Sequence, residues 1–163
     1  MFVVVFRVQH SMLDYFDPRK QSALGMRFLQ WLGYAGLIPF VALVLLSHWP
    51  IWPELQAETL FQRYSAIILA FMAGVLWPVW SQQAPLRPLA VFAVSIPVLS
   101  FLAGVLPDAW LIGIELLLFL LLRIGERWFG LDQLYHPEYL KLRQRLTRVV
   151  VLCHGLMLLL LLG

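Results

Sequence analysis

The feature that most constrains the fold is an alternation of long apolar stretches with short connectors rich in proline or charge. Five stretches consist mainly of Leu, Val, Ile, Ala and Phe. A helix needs about 20 apolar residues to cross a hydrocarbon core of about 30 Å. The pattern therefore predicts an all-α, polytopic membrane helical bundle with five transmembrane helices, at residues 28–48, 64–80, 89–106, 110–124 and 147–163.

Composition agrees with this class. Apolar residues make up 61% of the 163 and charged residues only 13%, whereas soluble domains are about half apolar and about one quarter charged. The net charge of +3 is not accompanied by a basic patch interleaved with stacking aromatics, so no nucleic-acid partner is expected. We expect a polar N-terminal arm, residues 1–27, then a single membrane domain, residues 28–163, with the lipid bilayer as partner.

The positive side chains predict how this domain is oriented. With the N-terminus inside, eleven of the twelve Lys and Arg residues fall on the inner side, and only Arg63 falls outside. Lys and Arg accumulate on the cytoplasmic side of membrane proteins. The inner cations are Arg7, Arg19, Lys20, Arg27, Arg87, Arg123, Arg127, Lys141, Arg143, Arg145 and Arg148.

The last six of these cations belong to a basic connector between the fourth and fifth spans. Pro137 suits the first turn of a helix, and Tyr139, Leu142 and Leu146 follow at helical spacing. The pattern predicts a short interfacial amphipathic helix before the last span. Two explanations of its charge remain open: binding of anionic lipid headgroups or a partner subunit, or a solvated face that sets orientation.

Two further features concern helix packing. Ala66, Ala70 and Gly74 recur at four-residue spacing, and a line of small residues lets another helix approach closely. We expect this line to be the main packing seam. Pro39 lies inside the first span, where a proline is tolerated in membrane helices, so it predicts a kink rather than a break.

Glu115 is the polar residue that most needs an explanation. A carboxylate inside a span costs about 2.5 to 3.5 kcal/mol and usually faces the bundle interior. Ser100, on the antiparallel third span, reaches a similar depth, so we expect a hydrogen bond to Glu115 or a protonated Glu115. Counted from Arg148, His154 lies about 9 Å from the inner face, which predicts a core histidine away from Glu115. Either a proton or cation site, or a satisfied polar contact near the outer surface, explains this acid.

Three sequence segments resemble a known family. The first is Leu32-Gly33-Tyr34-Ala35-Gly36-Leu37-Ile38-Pro39-Phe40, the second runs from Tyr64 to Trp77, and the third contains Pro137, Tyr139, Leu142, Arg143, Leu146 and Thr147. In this order they resemble domain-of-unknown-function family 3429 (DUF3429), the transmembrane protein 69-like family, over about residues 30 to 160. Glu138 departs from the pattern, since Trp is usual there. The resemblance implies an integral protein of a bacterial or mitochondrial inner membrane, without an established activity.

No motif in the sequence indicates catalysis. A phosphate-cradling glycine loop, a His-Glu-x-x-His pair and a nucleophile elbow are all absent. The adjacent Cys153 and His154 point in different directions on a helix, so neither a metal nor a cofactor is expected. We expect a non-enzymatic accessory, assembly or interaction subunit of the inner membrane, with a membrane protein partner or as a homo-oligomer. The alternative is a small oligomeric transporter, or a proton or cation pathway, that uses Glu115.

Overall fold

The computed structural model describes residues 18–49, 51, 55–76, 87–133 and 135–163. These residues form six α-helices and one 3₁₀ turn, and they contain no strand. The helices are α1 Pro18–Ala35, α2 Ile38–His48, α3 Ala57–Gly74, α4 Arg87–Ala103, α5 Asp108–Trp128 and α6 Pro137–Leu162, and the 3₁₀ turn is Leu131–Gln133. The chain divides into two compact units, residues 1–35 and residues 36–163.

Some predictions fall outside the described residues. They are the first part of the N-terminal arm, residues 1–17, the end of the second predicted span, residues 77–80, and the connector that follows it, residues 81–86. The rest of the arm, residues 18–27, is helical, since it belongs to α1.

The second unit is a bundle of five helices, α2 to α6. Each helix contacts the next one along the chain, α6 returns to α2, and α3 also contacts α5 across the bundle. Apolar side chains from all five helices fill the interior, as expected when each helix turns one apolar face inward. The buried core includes Phe40, Val44, Phe61, Leu69, Ala73, Leu89, Ala93, Ile96, Ile112, Leu118, Phe119, Leu122, Val150 and Met157.

The helices run up and down, so the bundle has two distinct ends. The hairpin end carries the short α4–α5 connection, and the hydroxyl of Ser47 donates a hydrogen bond there to Glu58, between the end of α2 and the start of α3. The connector end carries residues 129–136, which join α5 to α6. Short connections of this kind make neighbouring helices antiparallel.

Two of the helical stretches are long and apolar enough, by length and composition, to cross a membrane. They are Arg27–His48 and Pro137–Leu162. The helix α4 is apolar but has only 17 residues. The helix α5 has 21 residues but contains Glu115, Arg123 and Glu126. Charged residues inside α5 therefore keep it out of this class, although its length is sufficient.

The predicted kink at Pro39 is wrong, because the helix breaks instead. The helix α1 ends at Ala35, residues 36 and 37 form a turn, and α2 begins at Ile38. Pro39 thus occupies the first turn of α2. A proline is harmless there, since the N–H it lacks has no partner in a first turn.

The predicted separate interfacial helix is also wrong. The connector helix and the last span form one continuous helix, α6, of 26 residues. His136 caps its start, since the backbone N–H of Glu138 donates to His136 Nδ1 over 3.3 Å. The helix continues through the basic segment because Arg143 is buried within the bundle instead of lying at the surface.

The predicted seam of Ala66, Ala70 and Gly74 is not the packing line within this chain. Ala70 and Gly74 are exposed, and a Cβ added at Gly74 would meet no atom within 4 Å. The buried side of α3 instead carries Phe61, Gln62, Ser65, Leu69 and Ala73. Larger side chains occupy this side because they fill the interior that five helices enclose.

Candidate functional site

Two buried polar clusters lie between the neighbouring helices α5 and α6. Glu115 and Glu126 are eleven residues apart on α5, and Arg143 and His154 are eleven residues apart on α6. Eleven residues are about three helical turns, or about 16 Å, so both residues of each helix lie on the same side of it. The antiparallel arrangement places Glu126 beside Arg143 and Glu115 beside His154.

The first cluster, the Glu–His cluster, consists of Ser65, Ser100, Glu115 and His154. Ser100 Oγ donates a hydrogen bond to Glu115 Oε1 over 3.0 Å. Glu115 Oε2 lies 4.0 Å from His154 Nε2 and has no hydrogen-bond partner among the described residues. All four side chains are buried, and Glu115 is only 1% exposed. The cluster therefore contains a buried carboxyl oxygen whose polar requirement is unmet.

His154 is held in one orientation by its hydrogen bonds. Its Nδ1 lies 2.8 Å from the carbonyl oxygen of Val150, so Nδ1 carries the hydrogen and donates it. In the neutral ring Nε2 is then the acceptor, and Ser65 Oγ donates to it over 2.9 Å. Phe40, Phe61 and Phe119 surround the ring, with centroid distances of 5.7, 4.8 and 5.3 Å.

The prediction that Glu115 and His154 lie far apart is wrong. That prediction placed the inner membrane interface at Arg148 and counted the depth of His154 from there. Because α6 begins at Pro137 and pairs with α5 through Arg143 and Glu126, the register of the two helices brings His154 level with Glu115. His154 is a core residue, as expected, but it has polar partners.

The second cluster, the Arg–Glu cluster, consists of Arg123, Glu126, Asp132 and Arg143. The Arg143 guanidinium forms a bidentate ion pair with Glu126: Nε donates to Oε2 over 2.6 Å, and Nη2 donates to Oε1. Arg123 donates to Asp132 from both terminal nitrogens, over 2.7 and 2.9 Å, and lies 3.4 Å from Glu126. Glu126 and Arg143 are 0% and 3% exposed. Bidentate pairs of this type have a fixed geometry.

The six cations of the connector do not share one environment. Arg143 is buried and Arg123 is mostly buried, both in ion pairs, whereas Arg127, Lys141, Arg145 and Arg148 are exposed. The hydrogen bonds from Arg123 hold the pKa of Asp132 below its usual value. Burial raises the pKa of the nearby Tyr135 hydroxyl to about 12. The part of the connector next to α5 is therefore bonded to the bundle.

Several of these residues are not indicated by the sequence pattern. Glu115, Ser100 and the cations are predicted from it, whereas Glu126, Asp132 and the polar partners of His154 appear only in the structure. The equal spacing of two acids before the connector and two bases after it was the signal that could have found the pairing.

The chemistry available to the clusters is acid–base chemistry. In the described residues, no group of three His, Cys, Asp or Glu side chains is placed to hold a metal ion. Glu115 and His154 can each gain or lose a proton, and neither contacts an opposite charge within hydrogen-bond distance. Glu126 instead has both oxygens engaged by arginine.

Comparison with known proteins identifies one family. The family model described as "Protein of unknown function (DUF3429)" matches residues 26–159. No curated protein and no solved structure matches the chain. The match includes both polar clusters.

Proposed function

The chain belongs to the DUF3429 family, a family described as being of unknown function, and we propose from its geometry that it is a multi-pass membrane protein with a non-catalytic accessory or assembly role. The family resemblance supports a bacterial or mitochondrial inner membrane as its location. The N-terminus is proposed to face the cytosol or matrix.

The observation that carries this proposal is the inverted polarity of the bundle. On α5, Glu115 and Glu126 are buried, while Leu117 and Ile124 are 62% and 59% exposed. Soluble proteins bury acids only exceptionally, and ionisable residues of membrane helices face the bundle interior. The other helices of the bundle also expose large apolar side chains, among them Ile67, Phe71, Val91, Phe101, Leu152 and Leu159. A lipid environment accounts both for the buried acids and for the exposed apolar side chains.

Exposed tryptophans support the same environment. Trp49 and Trp110 lie at the hairpin end of the bundle, and Trp128 lies at the connector end, and all three are exposed. Tryptophan is enriched at the two interfaces of a bilayer. The two ends of the bundle would then lie at opposite interfaces.

Membrane insertion and orientation can be tested together. The single Cys153 is replaced by Ala, and cysteines are introduced at the exposed Asp108, at the hairpin end, or Gln133, at the connector end. In spheroplasts or mitoplasts, an impermeant thiol reagent should label position 108 and leave position 133 unlabelled until the membrane is opened. Labelling of both positions from one side, or release of the protein by alkaline carbonate, would contradict the proposal.

The accessory role is proposed to use the outward line of α3. Ala66, Ala70 and Gly74 leave room for a helix of a membrane protein partner or of a second copy. Gly74→Leu should abolish co-purification of the partner, or the homo-oligomer, in mild detergent. Gly155→Leu is the matched control, since a Cβ there also meets open space. Equal loss with both variants, or with neither, would exclude docking through this line.

The exposed cations of the connector end are proposed to contact anionic lipid headgroups. Arg127, Lys141 and Arg148 are exposed, and each basic residue near an anionic surface contributes about 1 kcal/mol of attraction. Binding of the detergent-solubilised protein to anionic nanodiscs should weaken in Arg127→Gln/Arg148→Gln and in high salt. If the affinity for anionic nanodiscs is unchanged, these cations do not bind lipid headgroups and serve only to orient the protein in the membrane.

A second candidate function is a proton or cation pathway, in an oligomeric protein, that uses Glu115. The observation that favours it is the buried Oε2 of Glu115, which none of the described residues hydrogen-bonds. Glu115→Gln should abolish proton or cation flux in proteoliposomes. Glu138→Gln, which changes an exposed acid on α6, should leave flux intact. Equal flux in wild type and Glu115→Gln would exclude this function.

A further inference from the structure

A line of polar side chains on α3 leads from the hairpin end of the bundle to the Glu–His cluster. Glu58, Gln62 and Ser65 follow at spacings of four and three residues, which places them on one side of the helix. Their burial increases along the line: Glu58 is partly exposed, Gln62 is 8% exposed and Ser65 is fully buried. Ser65 then contacts His154. Polar groups thus extend from the hairpin end to the cluster.

Two buried polar atoms, one on this line and one in the Glu–His cluster, have no hydrogen-bond partner in the part of the chain that the structure describes. They are Gln62 Nε2 and Glu115 Oε2. More than nine in ten buried polar groups in folded proteins have a partner, so each exception calls for an explanation. An amide that can donate and a carboxyl oxygen that can accept, both buried near Ser65, suit a site that takes up a proton from one direction.

Towards the connector end, the described residues place apolar side chains next to the Glu–His cluster. Between Glu115 and Glu126, the buried side chains of α5 include Leu118, Phe119 and Leu122, and α6 contributes Val150. All four are apolar. Beyond them, both oxygens of Glu126 are occupied by Arg143. In the described part of the chain, the polar line on α3 therefore has no counterpart on this side.

We propose that Glu115 and His154 form a proton-binding site that exchanges protons only with water from the hairpin end, and that Glu58, Gln62 and Ser65 hydrogen-bond this water along its route. The site rests on the proposed membrane location of the bundle, because lipid around the helices would exclude other routes. The arriving proton comes from water at that end. It binds either Glu115 Oε2 or His154 Nε2, and it leaves by the same route.

The hydrogen bonds of His154 determine how the proton is held. Nδ1 already donates to Val150, so only Nε2 can accept a proton. Protonation there turns Nε2 into a donor that faces Glu115 Oε2, 4.0 Å away, and Ser65 must rotate its hydroxyl hydrogen away from Nε2. With Glu115 ionised, the protonated ring and the carboxylate then form an ion pair at this distance.

Few other ionisable groups face this pair. On α2 the ionisable residue is His48, exposed at the hairpin end, and on α4 it is Arg87, at the connector end. On α3 Tyr64 adjoins Ser65 and donates to the carbonyl of Gly36, Arg63 is exposed, and Glu58 lies two turns from Ser65. On α5 Asp108 is exposed at the hairpin end and Arg123 pairs with Asp132, and on α6 Cys153 adjoins His154. Glu126 and Arg143 are three turns away and paired with each other. The titration therefore belongs mainly to Glu115 and His154.

The first test follows the imidazole signal of His154 by NMR as pH varies, in the full chain reconstituted into nanodiscs. The signal is assigned by its absence in His154→Phe. We expect titration in the wild type and a change in its midpoint of about one to three pH units in Glu115→Gln, because the neighbouring charge is removed. Glu138→Gln is the matched control and should leave the midpoint unchanged. A histidine that does not titrate, or that titrates identically in Glu115→Gln, would overturn the proposal.

The second test determines the side of exchange in proteoliposomes of known orientation. After a pH jump in one compartment, the His154 signal should follow the pH at the hairpin end and ignore the pH at the connector end. Gln62→Leu should slow this response, whereas Gln133→Leu, an exposed control at the connector end, should not. If the His154 signal of the wild-type protein responds to the pH of the connector-end compartment, the inference is wrong, whatever the variants show.

These outcomes separate the inference from the proposed functions. If the protein does not insert into vesicles, the proposed membrane role is wrong. The NMR titration of His154 in wild type and Glu115→Gln can still be recorded in detergent, so the coupling of the two residues is tested separately. Absence of net flux together with one-sided titration excludes a through pathway and supports the one-sided site.

Discussion

The two polar clusters use the same pair of helices and differ in whether their charges are matched. In the Arg–Glu cluster, a carboxylate accepts from a guanidinium through both oxygens. In the Glu–His cluster, one carboxyl oxygen accepts from Ser100, and the other has no hydrogen-bond partner within residues 18–49, 51, 55–76, 87–133 and 135–163. A matched pair fixes both the charge and the geometry, while an unmatched one keeps its protonation state free to change. The first cluster thus suits a structural role, and the second suits a role in proton exchange.

The largest effect is expected from breaking the matched pair. Glu126→Gln leaves Arg143 buried without an opposite charge, and removing one partner of a buried pair costs about 3 to 5 kcal/mol. The free energy of unfolding, measured in mixed detergent micelles by circular dichroism, should fall by this amount. The double variant Glu126→Met/Arg143→Met should be more stable than either single variant. If Glu126→Gln lowers the free energy of unfolding by less than about 1 kcal/mol, the pair contributes no more than a surface ion pair. The two polar clusters would then not differ in their structural role.

A smaller effect is expected from His154→Phe. The phenyl ring fits among Phe40, Phe61 and Phe119, but Ser65 loses its acceptor, and a buried polar group without a partner costs about 1 to 3 kcal/mol. Replacing Ser65 with Ala in the same protein should recover part of this loss. If the double variant loses as much as both single variants together, the Ser65–His154 bond seen at 2.9 Å is not what stabilises this region.

The next effect is a pH dependence from Asp132. The pKa of Asp132 is lowered in the fold, chiefly by hydrogen bonds from Arg123. Its contribution to stability is therefore present above the unfolded pKa, 3.8, and is lost as pH falls through the lower folded pKa. Because Asp132 is partly exposed, the contribution should be about 1 kcal/mol or less. Unfolding of wild type and Asp132→Asn should differ at neutral pH and converge in acid; a constant difference would contradict this cause.

The smallest effect on stability is expected from Glu115→Gln. The amide keeps an oxygen that accepts from Ser100, and its NH₂ group gives the position of Oε2 a donor that faces His154 Nε2. The change in unfolding free energy should stay within about 0.5 to 1 kcal/mol, the net value of a typical hydrogen bond. The Glu→Gln substitution is thus expected to change stability little at residue 115 and strongly at residue 126. A loss comparable to that of Glu126→Gln would mean that Glu115 is a structural ion-pair partner.

Local pattern predicted the helices but missed their partners. The apolar runs indicated the regions of α2 to α6, and the depth of Ser100 relative to Glu115 followed from the short hairpin at Pro107. The boundaries of α6 were missed because Arg143 was assumed to need water. A guanidinium can instead be buried when a carboxylate satisfies it, and that carboxylate, Glu126, lies on another helix.

The outward line of small residues on α3 illustrates a second limit. Spacing alone showed that Ala66, Ala70 and Gly74 share one side of a helix. It could not show whether that side faces the bundle or the outside, because this depends on the volume that the other four helices leave free. Phe61 and Leu69 fill that volume.

The sequence by itself determined that the chain forms apolar helices and that most Lys and Arg of the described bundle, α2 to α6, lie towards the connector end, since hydropathy and charge are properties of the residues. Only the tertiary structure decided which acid meets which base. An offset of one residue between α5 and α6 would rotate each side chain by about 100°, so the contacts of Glu115 and Glu126 depend on helix register. That register is set by the packing of all five helices together.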